Sequence, residues 1–148
     1  MKTYVIMLSK VFPKGHSYEG ANTNFADLLK RGKKIHTIRC NYPLWQKRIA
    51  EVQMGEACLS IRQWEDKPYR SKQVEIARLT KDDGVGLEYI ILPPVLRLEN
   101  ILNSYPKLDH HDGLTHAAWL DWFENYPRNV KLPIIHFTKF RYNENWPR

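Results

Sequence analysis

Ten consecutive residues, Lys30-Arg31-Gly32-Lys33-Lys34-Ile35-His36-Thr37-Ile38-Arg39, hold the densest set of side chains able to do chemistry. Lysine and arginine neutralise phosphates and a glycine lets the backbone approach an anion, so the segment suits a phosphate-reading edge. The same residues could equally do no more than cap a helix dipole and solvate a turn. A second chemistry is nucleophilic attack by Thr37 on an acyl carbon. Its hydroxyl is a poor nucleophile until a base takes the proton, and the amine of Lys34 can serve if desolvation or a neighbouring cation lowers its pKa. Lys33, Arg31 and Arg39 could supply that charge. The spacing sets a condition. Three apart, Lys34 and Thr37 point to opposite faces of a regular strand, so they converge only if Lys34 lies in the turn or a bulge intervenes; Thr37 and Arg39 share a face.

Gly32 to Arg39, G-K-K-I-H-T-I-R, resembles the glycine-x-lysine motif of the ASCH domains, relatives of the PUA domain. Most ASCH motifs carry a glutamate three residues after the lysine, where this chain has Thr37. Lysine and threonine at that spacing, followed by isoleucine and arginine, are similar to the bacterial N4-acetylcytidine amidohydrolases. In those small ASCH proteins an acidic residue precedes a helix that opens with an apolar residue and threonine, and Asp112-Gly113-Leu114-Thr115 has that form, with aspartate in place of glutamate. The resemblance spans Phe25 to the final strand. It implies a small PUA-like β-barrel with flanking helices, a reactive set of Lys34, Thr37 and Asp112, and no cofactor. Asp112 would orient Lys34 or pass a proton to the leaving amine, and a backbone amide near Gly32 or the basic residues would stabilise the oxyanion.

Other constellations are less specific. His110, His111, Asp112 and His116 lack a helical His-x-x-x-His pair and a cysteine partner, so a polar loop is expected there and no metal. Tyr42 and Trp45 beside Lys47 and Arg48, or Trp64 and Tyr69 beside Arg62 and Arg70, could stack on a base or belong to the core. His136 suits a satisfied buried histidine as well as a site residue.

The elements that must position these residues follow from periodicity and punctuation. Thr3 to Phe12 reads as a strand, followed by a polar loop with Gly15 and Gly20. Asn22 or Thr23 can cap a helix with Phe25, Leu28 and Leu29 on one face and Gly32 as its stop. Lys34 to Cys40 reads as a short strand, and Pro43 opens a helix whose stripe is Trp45, Ile49 and Val52, ended by Gly55. Glu56 to Trp64 and Ser71 to Leu79 read as a hairpin, Leu87 to Leu92 as a further strand, and Arg97 to Tyr105 as a helix. Thr115 can cap a third marked helix containing Trp119, Trp122 and Phe123, and Ile134 to Tyr142 makes the last strand. The expected class is α+β with a barrel-like sheet.

The whole chain of 148 residues fits one domain, 1–148. Lysine and arginine number 23 against 16 acidic residues, a net charge of +7 that favours anionic partners, RNA or a modified nucleoside among them. With 43% apolar and 26% charged residues, gross disorder is excluded. No apolar run approaches the ~18 residues of a membrane span, and Met1 to Pro13 lacks the blocks of a signal peptide. Two cysteines, Cys40 and Cys58, are too few for a disulfide framework, so a cytoplasmic location is expected. Two function classes remain open: an ASCH domain that binds RNA or a modified nucleoside through the Arg31, Gly32, Lys33 and Arg39 edge, and an amidohydrolase that removes an acyl group from N4-acetylcytidine or a related nucleoside.

Overall fold

A computed structural model describes residues 1–143. Residues 144–148, part of the single domain expected from the sequence, lie outside the described residues. In chain order the elements are β1 (Lys2–Met7), α1 (Phe25–Lys30), β2 (His36–Ile38), α2 (Tyr42–Gln53), β3 (Ala57–Trp64) and β4 (Gln73–Leu79). A 3₁₀ turn (Lys81–Asp83) then leads to β5 (Gly86–Ile91), α3 (Leu98–Ser104), α4 (Leu108–His111), α5 (His116–Phe123) and β6 (Lys131–His136).

The described strands pair as two mixed or antiparallel sheets of three, in the orders β1-β3-β4 and β2-β6-β5. In the first, β1 runs parallel to β3 with Tyr4 opposite Leu59, while β3 and β4 form the antiparallel hairpin, shifted in register after Ile61. In the second, β6 is central: Thr37 lies opposite Ile135 on one side and Leu87 on the other side faces the same residue.

Local sequence explains why α2 joins them. The Asn41 side chain accepts from the Leu44 amide at 3.3 Å and Pro43 occupies the first turn, so the helix start is specified twice. Trp45, Ile49 and Val52 then form one buried stripe. That helix packs on β3 of one sheet and on β5 and β6 of the other. Burying each of those side chains stabilises by about 1.5–3 kcal/mol, which makes the stripe a tie between the two sheets. β3 is buried at five successive positions, Ala57 to Ile61, so both of its faces are covered and the alternation seen in its sequence does not mark a wet face.

Several boundaries differ from the sequence expectation. β1 stops at Met7, because Leu8 to Phe12 turn away to meet the following loop, with Val11 bridging Asn22. β2 is only three residues long and begins at His36 rather than Lys34. The final strand begins earlier and ends at His136, after which Thr138 to Tyr142 fold back onto β5 at Glu88 and onto Gly84 just before it. Where the sequence suggests a polar loop, Leu108–His111 form the single turn α4, too short to carry a helical periodicity.

Candidate active site

Gly32 ends α1 in the left-handed conformation, φ +71°, and its amide donates to Leu29 O at 3.1 Å. The Lys33 and Lys34 amides both donate to Leu28 O, at 2.9 and 3.1 Å. All three donors of the turn are thus engaged by the helix they terminate, and none is left to bind an oxyanion. Lys34 sits two residues before β2, outside the alternation of the strand. This is the arrangement that lets Lys34 and Thr37 face one cavity, which they line together with Arg39 and Asp112.

The cavity holds about 50 Å³, and Phe25, Trp122, Phe123 and Tyr126 form its apolar wall. Lys34 is only 2% exposed and Asp112 3%. The Lys34 ammonium donates to the backbone oxygen of Asp112 at 2.6 Å and to its Oδ1 at 3.3 Å, and lies 4.3 Å from the centre of the Phe25 ring. Burial pushes the Lys34 amine below its ordinary value and the Arg39 cation adds to that, while Asp112 opposes it. For Asp112, burial raises the carboxyl, but the charge of Lys34 and the bond from His36 outweigh it and hold the group below the usual carboxylate range.

Arg39 reaches the same space from the far end of β2. Its Nε donates to Thr37 Oγ1 at 3.2 Å, and its Nη2 donates to Met7 O at 2.6 Å, which fixes the guanidinium plane against β1. The donor to the threonine hydroxyl is therefore arginine, and the bonds of Lys34 go to Asp112.

Asp112 is the C-cap of α4, and Gly113 after it has φ +81°. A Cβ at Gly113 would stand 3.3 Å from both Lys34 Cδ and a Phe25 ring carbon, so glycine allows the close approach of the turn to the lysine stem.

A hydrogen-bonded line leads away from Asp112. Its Oδ1 lies 3.3 Å from His36 Nδ1, His36 Nε2 lies 2.6 Å from the Tyr142 hydroxyl, and that hydroxyl lies 2.9 Å from His111 Nδ1. If His36 donates from Nδ1, its Nε2 accepts from Tyr142, whose oxygen in turn accepts from His111. Burial, with His36 nearby, lowers His111 to about 4. Beside this line His136 Nε2 meets Glu88 Oε1 at 2.7 Å, and Glu88 also accepts from the amides of Tyr142 at 2.8 Å and Asn143 at 3.0 Å. Burial lowers His136 to about 4 against the pull of Glu88, so near neutrality the pair is a neutral imidazole donating to a carboxylate.

The other residues of the basic segment face elsewhere. Arg31 is exposed and pairs with Asp27 at 3.3 Å, and Gly32 and Lys33 line a separate open groove with His110 and His111. Among the described residues no group of three or more His, Cys, Asp or Glu side chains is arranged to hold a metal. His116, one of the histidines weighed for a metal, instead lies 2.7 Å from the buried Asp109. Sequence reasoning missed His36, Tyr142 and Glu88. The signal available was a histidine, His36, on a strand flanked by isoleucines, where an imidazole must find a partner once buried. No helix of the described residues is long and apolar enough to cross a membrane. No protein-family model, curated protein or solved structure matches the chain.

Proposed function

We propose that the protein is an ASCH-type amidohydrolase of PUA-like fold that removes an acyl group from N4-acetylcytidine or a related nucleoside. The observation that carries this reading is the meeting of Lys34, Thr37 and Arg39 with Asp112, from a distant part of the chain, in one buried cavity. A surface that only reads phosphates has no use for a lysine that is 2% exposed. The cavity of about 50 Å³ has room for a few waters or for the acyl end of an amide.

In this reading Thr37 Oγ attacks the acyl carbon while its proton passes to the neutral form of Lys34, which burial makes accessible. Arg39, already 3.2 Å from Thr37 Oγ1, is the group available to the developing oxyanion, since the Gly32 turn has no free amide. The C–N bond then breaks as the proton returns to the leaving amine, with Asp112 holding the lysine in place. Water cleaves the resulting threonine ester and releases the acid. Both cysteines are free, which suits a reducing cytoplasm.

A second reading, RNA or nucleoside binding without turnover, is favoured by the exposure of Arg31 and Lys33. Chromatographic detection of cytidine released from N4-acetylcytidine separates the two. Release by the wild type, lost by at least a hundredfold in Thr37→Val with an unchanged circular dichroism spectrum, is the expected result. No release, or full release by Thr37→Val, refutes the hydrolase.

A further inference from the structure

We propose that a second site for single-stranded RNA lies in the groove beside the cavity and runs to Trp64 and Tyr69, so that the acylated base is taken from within an RNA strand. The substrate assignment rests on the hydrolase reading; the RNA site does not. Three observations carry it. First, Leu8 and Ser9 line both the cavity and an adjoining groove of about 540 Å³, so the two spaces lie side by side. The cavity is too small for a whole nucleoside, and the shared Ser9 places the groove beside it as the adjoining space for what is attached to the acyl end.

Second, Trp64 lines the groove and Tyr69 packs beside it. The rings of Trp64 and Tyr69 are 5.1 Å apart at 49°, and Tyr69 is 89% exposed. Tyr69 also holds φ +63°, a left-handed backbone unfavourable for a side-chain-bearing residue, and in that conformation the turn between β3 and β4 presents the ring to water. An aromatic face held out in this way suits a base, because every base has a π-face.

Third, Lys10, Lys14 and Lys67 line the groove against one carboxylate, Asp66. Lys10 donates to Glu65 O at 2.6 Å, which ties the two walls together and leaves its charge uncompensated by that neutral carbonyl. Stacking faces together with cations match a strand of bases and phosphates. An acidic peptide would satisfy the lysines but offer nothing to the tyrosine ring.

The test is fluorescence anisotropy with a labelled octaribonucleotide carrying one central N4-acetylcytidine, its unacetylated twin and polyglutamate. Expected are RNA binding weakened about tenfold by Tyr69→Ala and preserved by Tyr69→Phe, and a slope of log K against log salt near −2 for three lysines on a single strand. Lys14→Ala and Lys67→Ala should each flatten that slope by about 0.7. Because Lys14, Lys67 and Tyr69 are all exposed, these variants keep the fold. RNA binding that ignores Tyr69→Ala and both lysine variants, polyglutamate binding as tight as RNA, or no RNA binding alongside turnover of free N4-acetylcytidine overturns the site. Groove-dependent binding without turnover of either substrate upholds the RNA site and refutes the hydrolase instead.

Discussion

Lys34 is held by two oxygens of the same residue, the backbone carbonyl of Asp112 at 2.6 Å and its carboxylate at 3.3 Å. Main chain and side chain of one aspartate thus fix the ammonium, and α4 fixes the aspartate. Removing either partner strands a charge in an apolar wall. Lys34→Met and Asp112→Asn should each lower stability by about 3–5 kcal/mol. The double variant Lys34→Met/Asp112→Asn should cost less than the sum of the single losses, and urea denaturation of the four proteins measures the coupling. Additive losses would contradict a coupled pair.

Arg39 makes its two bonds with different nitrogens, and lysine cannot reproduce that fork. In the hydrolase reading Arg39→Lys should reduce kcat about a hundredfold with little change in KM, since the bond gained is to the oxyanion rather than to the ground-state carbonyl. Steady-state kinetics on N4-acetylcytidine would show it; an effect confined to KM would assign Arg39 to substrate binding.

One buried and one half-buried histidine set the acid limit of the fold. His111 and His136 are both lowered to about 4 from 6.5, so between those values the unfolded chain binds protons that the folded one does not. Stability is complete above pH 6.5 and falls as pH drops towards 4. For the fully buried His136 the loss reaches about 3 kcal/mol by pH 4. Urea midpoints at pH 7.5 and 5 should differ accordingly, and His136→Gln should reduce the difference. A midpoint independent of pH in this window would rule the histidines out as its cause.

Gly113→Ala combines a left-handed backbone with a Cβ at 3.3 Å from the Lys34 stem. A stability loss of about 1–2 kcal/mol is expected from the backbone alone. Turnover should fall further than that loss explains, because the lysine must shift. Thermal melts paired with the cytidine assay separate the two effects.

The hairpin, the Trp45 stripe and the Thr115 cap were legible because each rests on contacts between near neighbours in sequence: turn residues, 3.6-residue spacing, a hydroxyl three positions from its amide. The condition on Lys34 was legible too, since a three-residue spacing permits convergence only outside a regular strand. What could not be read was set by distant partners. His36 meets Tyr142 across 106 positions and His136 meets Glu88 across 48, and nothing in either local pattern names the other end. Likewise, the basic run has no internal mark dividing Lys34 and Arg39 from Arg31 and Lys33. That division comes from the Gly32 turn and from α4 closing over one side.

The central place of β6 has a consequence for synthesis on the ribosome. β2 and β5 each pair with β6 and are joined in that sheet only through it. Until Lys131–His136 has left the exit tunnel, the nascent chain carries two bare strand edges with no bridge between them, while β1, β3 and β4 are already complete. Translation therefore delivers one sheet before the other, and Thr37, on β2, finds its Ile135 neighbour only near the end of that process.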